Sequence, residues 1–180
     1  MRKIVLTFGL IAGGILSVMM IVSMALIDSI GFDTGEIIGY TTMVIAFLMI
    51  FFGVKAYRDN VAGGAISFGR AFKVGFLIMA IASACYVATW QVLYRAFLPD
   101  FGEKYAAHVI DKARAGGATE AEVAEQQRKM IEFQRLYRNP LINVALTFLE
   151  PLPVGLVMTL VAAGVLRRRR TQPLPASNSH

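Results

Sequence analysis

The sequence predicts an all-α fold: an integral membrane four-helix bundle with an extracytoplasmic αα-hairpin between spans three and four. Three observations carry that prediction. Of the 180 residues, 56% are hydrophobic and 17% charged, against roughly 25% charged in a soluble domain. The apolar residues fall into four blocks, about 4–27, 37–54, 74–98 and 141–166. At ~1.5 Å per helical residue such blocks match ~30 Å of hydrocarbon. A single long polar segment, 99–140, lies between the last two. Residues 1–170 therefore read as one membrane domain, and 171–180, rich in proline and serine, as a disordered tail.

The net charge of +6 is a topology signal. Arg2 and Lys3 flank the first block, and Arg167, Arg168, Arg169 and Arg170 follow the fourth. Bases at span ends set orientation, so nucleic acid is not an implied partner. Cys85 is the lone cysteine, and His108 and His180 are far apart. No recurring ligand spacing exists, so the sequence offers no metal site and calls for no cofactor.

The first block is too long for the ~7–15-residue core of a signal peptide, which favours a retained span. Gly9, Gly13 and Ser17 recur every fourth residue. Such a stripe lets another helix approach closely, here one from the same chain. Asp28, Asp33 and Glu36 then occupy a short acidic loop. The second block is short, with Tyr40 and Tyr57 placed to sit in the two interfacial belts. A basic loop follows, with Lys55, Arg58, Arg70 and Lys73 against the single acid Asp59, which pairs with Arg58 or caps a turn. Ser67 suits a helix N-cap before the third span. Trp90 and Tyr94 mark the far interface of that span, and Cys85 is a packing residue within it.

Within 99–140, Asp100 with Glu103 resembles an N-terminal cap, and a helix runs from Phe101 to about Ala115. Gly116 and Gly117 break it. Thr119 with Glu122 forms a capping box for a second helix, which ends before Asn139 and Pro140. Phe101, Tyr105 and Val109 share one face, as do Val123, Met130, Phe133 and Tyr137. The hairpin is expected to pack on itself or on the membrane surface, with His108 on a solvated face.

Bases lie near both termini and in the 55–73 loop, whereas the other two connections carry no excess of them. The positive-inside rule then places both termini and the 55–73 loop in the cytoplasm, with the hairpin outside.

Glu150 is the only formal charge within 141–166. Counting in from residue 141, it lies ~14 Å deep, near mid-bilayer. Pro151 and Pro153 remove two intrahelical donors and free the carbonyls of Thr147 and Leu149. Ser17 and Ser23 of the first span reach a similar depth, as do Thr41 and Thr42 of the second and Tyr86, Thr89 and Gln91 of the third. The expectation is one polar site built from Glu150, Thr147, Tyr86, Thr89, Gln91 and Ser17, with no second acid or base at its level. Glu150 then reads either as a buried, hydrogen-bonded acid that locks two helices together or as a proton- or cation-coupled group.

The block at 51–60, with Tyr57, Arg58, Asp59 and Asn60, leads to Gly63 and Gly64 and then to Gly69, Arg70, Ala71, Phe72, Lys73, Val74 and Gly75. It resembles an uncharacterised bacterial membrane family, domain of unknown function 4199. Pro99, Asp100 and Phe101 with Glu103, Lys104 and Tyr105 match too, as do Asn139 and Pro140 ahead of Thr147, Phe148, Leu149 and Glu150, then Pro153, Val154 and Gly155. The resemblance implies a four-span protein of the cytoplasmic membrane and no activity. Pro151 departs from the family pattern, which calls for a bulky apolar residue there.

No Ser/His, Cys/His, paired-Asp or His-Glu-x-x-His arrangement is present, so the reading is not an enzyme. What remains is a membrane protein that works through a partner, lipid or self-association. Lys55, Arg58, Arg70 and Lys73 would meet anionic headgroups. The alternative is a small oligomeric transporter or channel built around Glu150, although no internal repeat pairs its halves.

Overall fold

A computed structural model describes residues 1–168. The tail expected at 171–180 lies outside the described residues, as do Arg169 and Arg170. The described residues are helical apart from short connections: α1 (Arg2–Ala25), α2 (Ile27–Ile30), α3 (Phe32–Asn60), α4 (Phe68–Ala96), α5 (Phe101–Ala115), α6 (Glu120–Tyr137), α7 (Pro140–Leu149) and α8 (Leu152–Leu166). Four stretches are long and apolar enough to cross a membrane: α1, α3, α4 and the α7–α8 unit. The protein is a multi-pass, all-α membrane bundle. One end carries the α5–α6 hairpin and the other the connection between α3 and α4.

Two spans outrun their apolar cores. The sequence places the second at 37–54, but α3 has 29 residues and includes Asp33, Glu36, Lys55, Arg58 and Asp59. Likewise α4 begins at Phe68, ahead of Arg70 and Lys73. A charged residue ends an apolar run but not a helix, whose backbone bonds close internally beyond the hydrocarbon. The basic loop is thus only 61–67, and its named bases stand on helix ends. Ile66 and Arg168 exchange backbone hydrogen bonds of 3.1 and 3.0 Å, which tie this connection to the end of α8.

In the bundle α1 lies against α3 and α4, and α8 lies across from it against the same two helices. The centre is filled by Phe47, Ile50 and Val54 of α3 with Val74, Ile78 and Met79 of α4, all without exposed surface. The small-residue stripe of α1 is an internal seam, as expected. A Cβ on Gly9 would stand 2.8 Å from Ile81 Cβ, and one on Gly13 would stand 2.7 Å from Cys85 Cβ. One turn beyond Gly13, Ser17 meets Thr89. Cys85 is a packing residue of this seam.

The fourth span is interrupted where its prolines fall. α7 ends at Leu149 and α8 starts at Leu152, while Glu150 and Pro151 keep right-handed helical dihedrals. The interruption is thus a gap in hydrogen bonding rather than a turn, as expected when proline removes the donor. It divides the packing. α8 lies on both α3 and α4, whereas α7 packs on α4 and on hairpin helix α6, with at most marginal contact to α3.

The hairpin packs on itself and on the bundle end. Thr119 and Glu122 form the anticipated capping box. Asp100 accepts no side-chain cap hydrogen bond and instead pairs with Lys104 at 3.5 Å; Ser67 is extended but also makes no side-chain cap. Two residues assigned to interfacial belts are inside: Tyr57 is 7% exposed and Trp90 8%. Trp90 is covered by the hairpin, with Phe101 edge-on at 5.0 Å between ring centres.

Candidate functional cavity

Because α7 leaves α3 above the prolines, space opens at the hairpin end. Two cavities of about 400 Å³ each occupy it. Both are lined by Met20, Met24, Tyr86, Phe101, Tyr105 and Glu150, so they meet at the carboxylate. Glu150 is surrounded by protein yet remains exposed, since it faces this space and not packed core. Tyr86 lines the same two cavities.

The first cavity runs along α1 and α3. Asp33, Glu36, Tyr40 and Thr42 line it, with His108 and Lys112 from α5. Asp33 accepts from Lys112 Nζ at 2.6 Å and lies 3.3 Å from His108 Nε2. The Lys112 ammonium is held above the ordinary lysine value by that hydrogen bond. Phe32 packs against Phe101, Tyr105 and His108. His108 therefore belongs to the hairpin's attachment and not to a solvated face. Two further acids, Asp33 and Glu36, which the sequence places in a loop, stand on α3 and line the same cavity as Glu150.

The second cavity lies between α1, α4, the hairpin and α7, and seven aromatic side chains line it: Tyr86, Trp90, Tyr94, Phe101, Tyr105, Phe133 and Tyr137. Glu150 is the sole charged side chain among the described residues that line it. Trp90 Nε1 donates to Tyr137 Oη at 2.7 Å, and that hydroxyl lies 3.4 Å from Thr147 Oγ1. Thr147 Oγ1 in turn donates to the Asn143 carbonyl at 2.8 Å. Gln91 Nε2 donates to Asn143 Oδ1 at 2.6 Å. Burial pushes the Tyr137 phenol up, which keeps it a donor.

The polar residues expected to share one site are thus split. Glu150, Tyr86 and Thr147 line cavity wall together. Gln91 belongs with Asn143 in the α4–α7 contact, where its Oε1 is buried without a partner. Ser17 and Thr89 form a separate pair in the α1–α4 seam: Thr89 Oγ1 sits 2.8 Å from Ser17 Oγ and 2.9 Å from the Cys85 carbonyl. Equal depth in a bilayer does not mean a shared face. Asn143 and Tyr137 join the site through the structure alone, by their hydrogen bonds to Gln91 and Trp90. Asn143, Thr147 and Glu150 stand at i, i+4 and i+7, a polar stripe that was visible in the sequence.

At the opposite end Arg58 Nε pairs with Asp59 at 2.7 Å, so this base is engaged, while Lys55, Arg70 and Lys73 are exposed. Among the described residues no group of three metal-ligating side chains occurs.

A four-span bundle with a hairpin over a cavity lined by a carboxylate defines a multi-pass membrane protein with a cavity at one end. The chain belongs to the family described as protein of unknown function (DUF4199), whose profile matches residues 7–168. No curated protein and no solved structure matches it.

Proposed function

We propose that this is a non-enzymatic membrane protein that works by receiving an amphipathic molecule, a lipid or lipid-like ligand, in the cavity under its hairpin. The one-sided shape of that cavity supports the reading. It is open around Glu150, and beneath it Phe47 and Met79 close against Gly155, where a Cβ would already stand 3.2 Å from Phe47 Cε2. A space closed below suits binding better than conduction. Its largely apolar lining and few polar groups resemble ligand sites in general.

Orientation follows from the bases. Both termini and the Lys55, Arg70 and Lys73 end face the cytoplasm of a bacterial inner membrane, and the hairpin faces outward. Anionic headgroups at the basic end add ~1 kcal/mol per exposed base. Reporter fusions after residue 168 and within 116–118 test this; a cytoplasmic signal from the second would overturn it.

The central test is occupancy. Native mass spectrometry of the full chain released from native membrane discs should retain an amphiphile. Leu146→Trp, which fills the second cavity, should lose it without a change in thermal unfolding. Equal occupancy in both overturns the reading. A second reading, an oligomeric proton- or cation-coupled carrier, draws on the presence of Glu36 beside Glu150 in one cavity. It requires uptake by proteoliposomes that Glu150→Gln abolishes and an assembly larger than a monomer.

A further inference from the structure

Resting on that reading of the cavity, we propose that the second cavity selects organic cations: amphiphiles with a quaternary ammonium or phosphonium group, seated among aromatic rings against Glu150. The rings come from three elements. Tyr86 and Trp90 stand one turn apart on α4, Phe101 and Tyr105 one turn apart on α5, and Tyr137 closes the side on α6. Phe101 and Tyr105 are parallel within 6° at 6.2 Å. The polar edge of Trp90 is turned to Tyr137 by its 2.7 Å hydrogen bond, so its contribution to the wall is ring. Ring faces carry negative charge density and attract cations, most strongly where water is excluded.

The charge of the wall agrees. Glu150 is the only carboxyl or basic side chain in the lining among the described residues. None of the salt bridges among those residues reaches it: Lys104 is held by Asp28 and Asp100, and Lys112 by Asp33. A carboxylate without a protein cation, inside an apolar ring of aromatics, attracts a cation from outside and repels an anion. A hard metal ion is the wrong guest. Calcium takes 6–8 oxygen ligands and magnesium demands an octahedron, whereas this wall offers one carboxylate and a few hydroxyls. A weakly hydrated cation that carries its own apolar surface satisfies both the rings and the acid. The single tryptophan of the chain is part of the wall, so binding reports on itself.

The experiment uses the full chain in discs of zwitterionic lipid and follows Trp90 emission. Tetraphenylphosphonium is the probe, and tetraphenylborate, of the same shape and opposite charge, is its control. The phosphonium should give a saturable change, with the borate at least about tenfold weaker. Glu150→Gln should weaken phosphonium binding about tenfold and bring the two ions close together. Tyr105→Leu, at an exposed ring, should weaken it about two- to fivefold, the scale of one cation–π contact. Comparable affinity for the borate overturns the proposal, as does a folded Gln variant that binds as tightly as wild type. If Glu150→Gln does not fold, the wild-type ion ratio and Tyr105→Leu still decide. A retained lipid with no preference for the phosphonium sinks this inference and leaves the broader reading standing. Absence of both sinks the two together.

Discussion

The two halves of the bundle use the same helices and pack them differently. Toward the basic end, Phe47, Ile50, Ile78 and Met79 have no exposed surface, and α8 touches both α3 and α4. A Cβ on Gly75 there would lie 3.0 Å from both Ile50 Cγ2 and Thr159 Cγ2. Toward the hairpin end, α7 keeps α4 but leaves α3, and two cavities take the vacated space. The change falls at Glu150 and Pro151. In lipid there is no hydrophobic drive between helices, so close approach depends on small residues and continuous backbone. Where both are present the bundle is solid. Where the backbone bonding lapses, a second structure, the hairpin, is needed to cover the opening.

The solid half depends most on its small residues, and the largest effect is expected there. Gly13→Val places branched carbons where a Cβ alone would stand 2.7 Å from Cys85 Cβ and 3.4 Å from the backbone of Ala82. The α1–α4 seam must part, at a cost of about 3 kcal/mol, the upper range for overpacking. Gly14, next in sequence, has nothing within 4 Å of its Cβ position. Gly14→Ala should be neutral or stabilising by roughly 0.5–1 kcal/mol through helix propensity. Thermal unfolding in detergent measures both. Equal effects at the two positions would mean that the seam does not hold the bundle.

Healing the fourth span should erase the difference between the halves. Pro151→Ala with Pro153→Ala restores two N–H donors for the carbonyls of Thr147 and Leu149. At ~0.5–1.5 kcal/mol per net hydrogen bond, the double variant gains about 1–3 kcal/mol. α7 then continues the line of α8 toward α3, and the cavity narrows. Higher thermal stability with at least tenfold poorer retention of a cavity ligand is the expected pair of results. A variant that keeps both its stability and its ligand would show that the prolines do not set the opening.

What each segment does locally was legible in the sequence, and how the segments meet around the opening was not. Four apolar blocks, the stripe of Gly9, Gly13 and Ser17, and the capping box of Thr119 and Glu122 all report local physics: hydropathy, size and chain-end hydrogen bonding. Glu150 and its prolines stood out because each is costly inside a span. What could not be read was which faces meet. Depth alone grouped Ser17, Thr89 and Gln91 with Glu150, yet the rotation of each helix sends them to other seams. Apolar runs ended too early at Glu36 and Lys55, since hydropathy marks where lipid ends and not where a helix does. Trp90 and Tyr57 read as interfacial because amphipathic rings suit a headgroup layer and a buried cover of protein alike.

The cover itself can be loosened without touching the solid half. Tyr137→Phe removes the hydroxyl that accepts from Trp90 Nε1 and leaves that buried N–H without its partner. The cost of an unsatisfied buried donor is about 1–3 kcal/mol, and here it falls on the hairpin's contact with α4 and α7. Trp90 emission should shift and hydrogen exchange in α6 should rise, while exchange in α8 stays unchanged. A uniform rise across all spans would contradict a separately held hairpin.

The smallest effect tests how local the hairpin's own order is. Thr119 Oγ1 accepts from Glu122 N at 3.3 Å, and Glu122 Oε2 accepts from Thr119 N at 2.8 Å. Thr119→Ala should cost about 1 kcal/mol of α6 stability, the usual worth of an N-cap. Glu122 adds a pH dependence with a definite sign. The backbone hydrogen bond from Thr119 holds its carboxyl below the ordinary glutamate value. A depressed acid stabilises the folded form above the unfolded-state value and loses that contribution as pH falls through the lowered one. Acidification should therefore fray the start of α6 in the wild type and change little further in Thr119→Ala, as read by residue-level hydrogen exchange. Fraying that appears in both to the same extent would place the acid-sensitive group elsewhere in the hairpin, with the Asp33 attachment to Lys112 and His108 the next to examine.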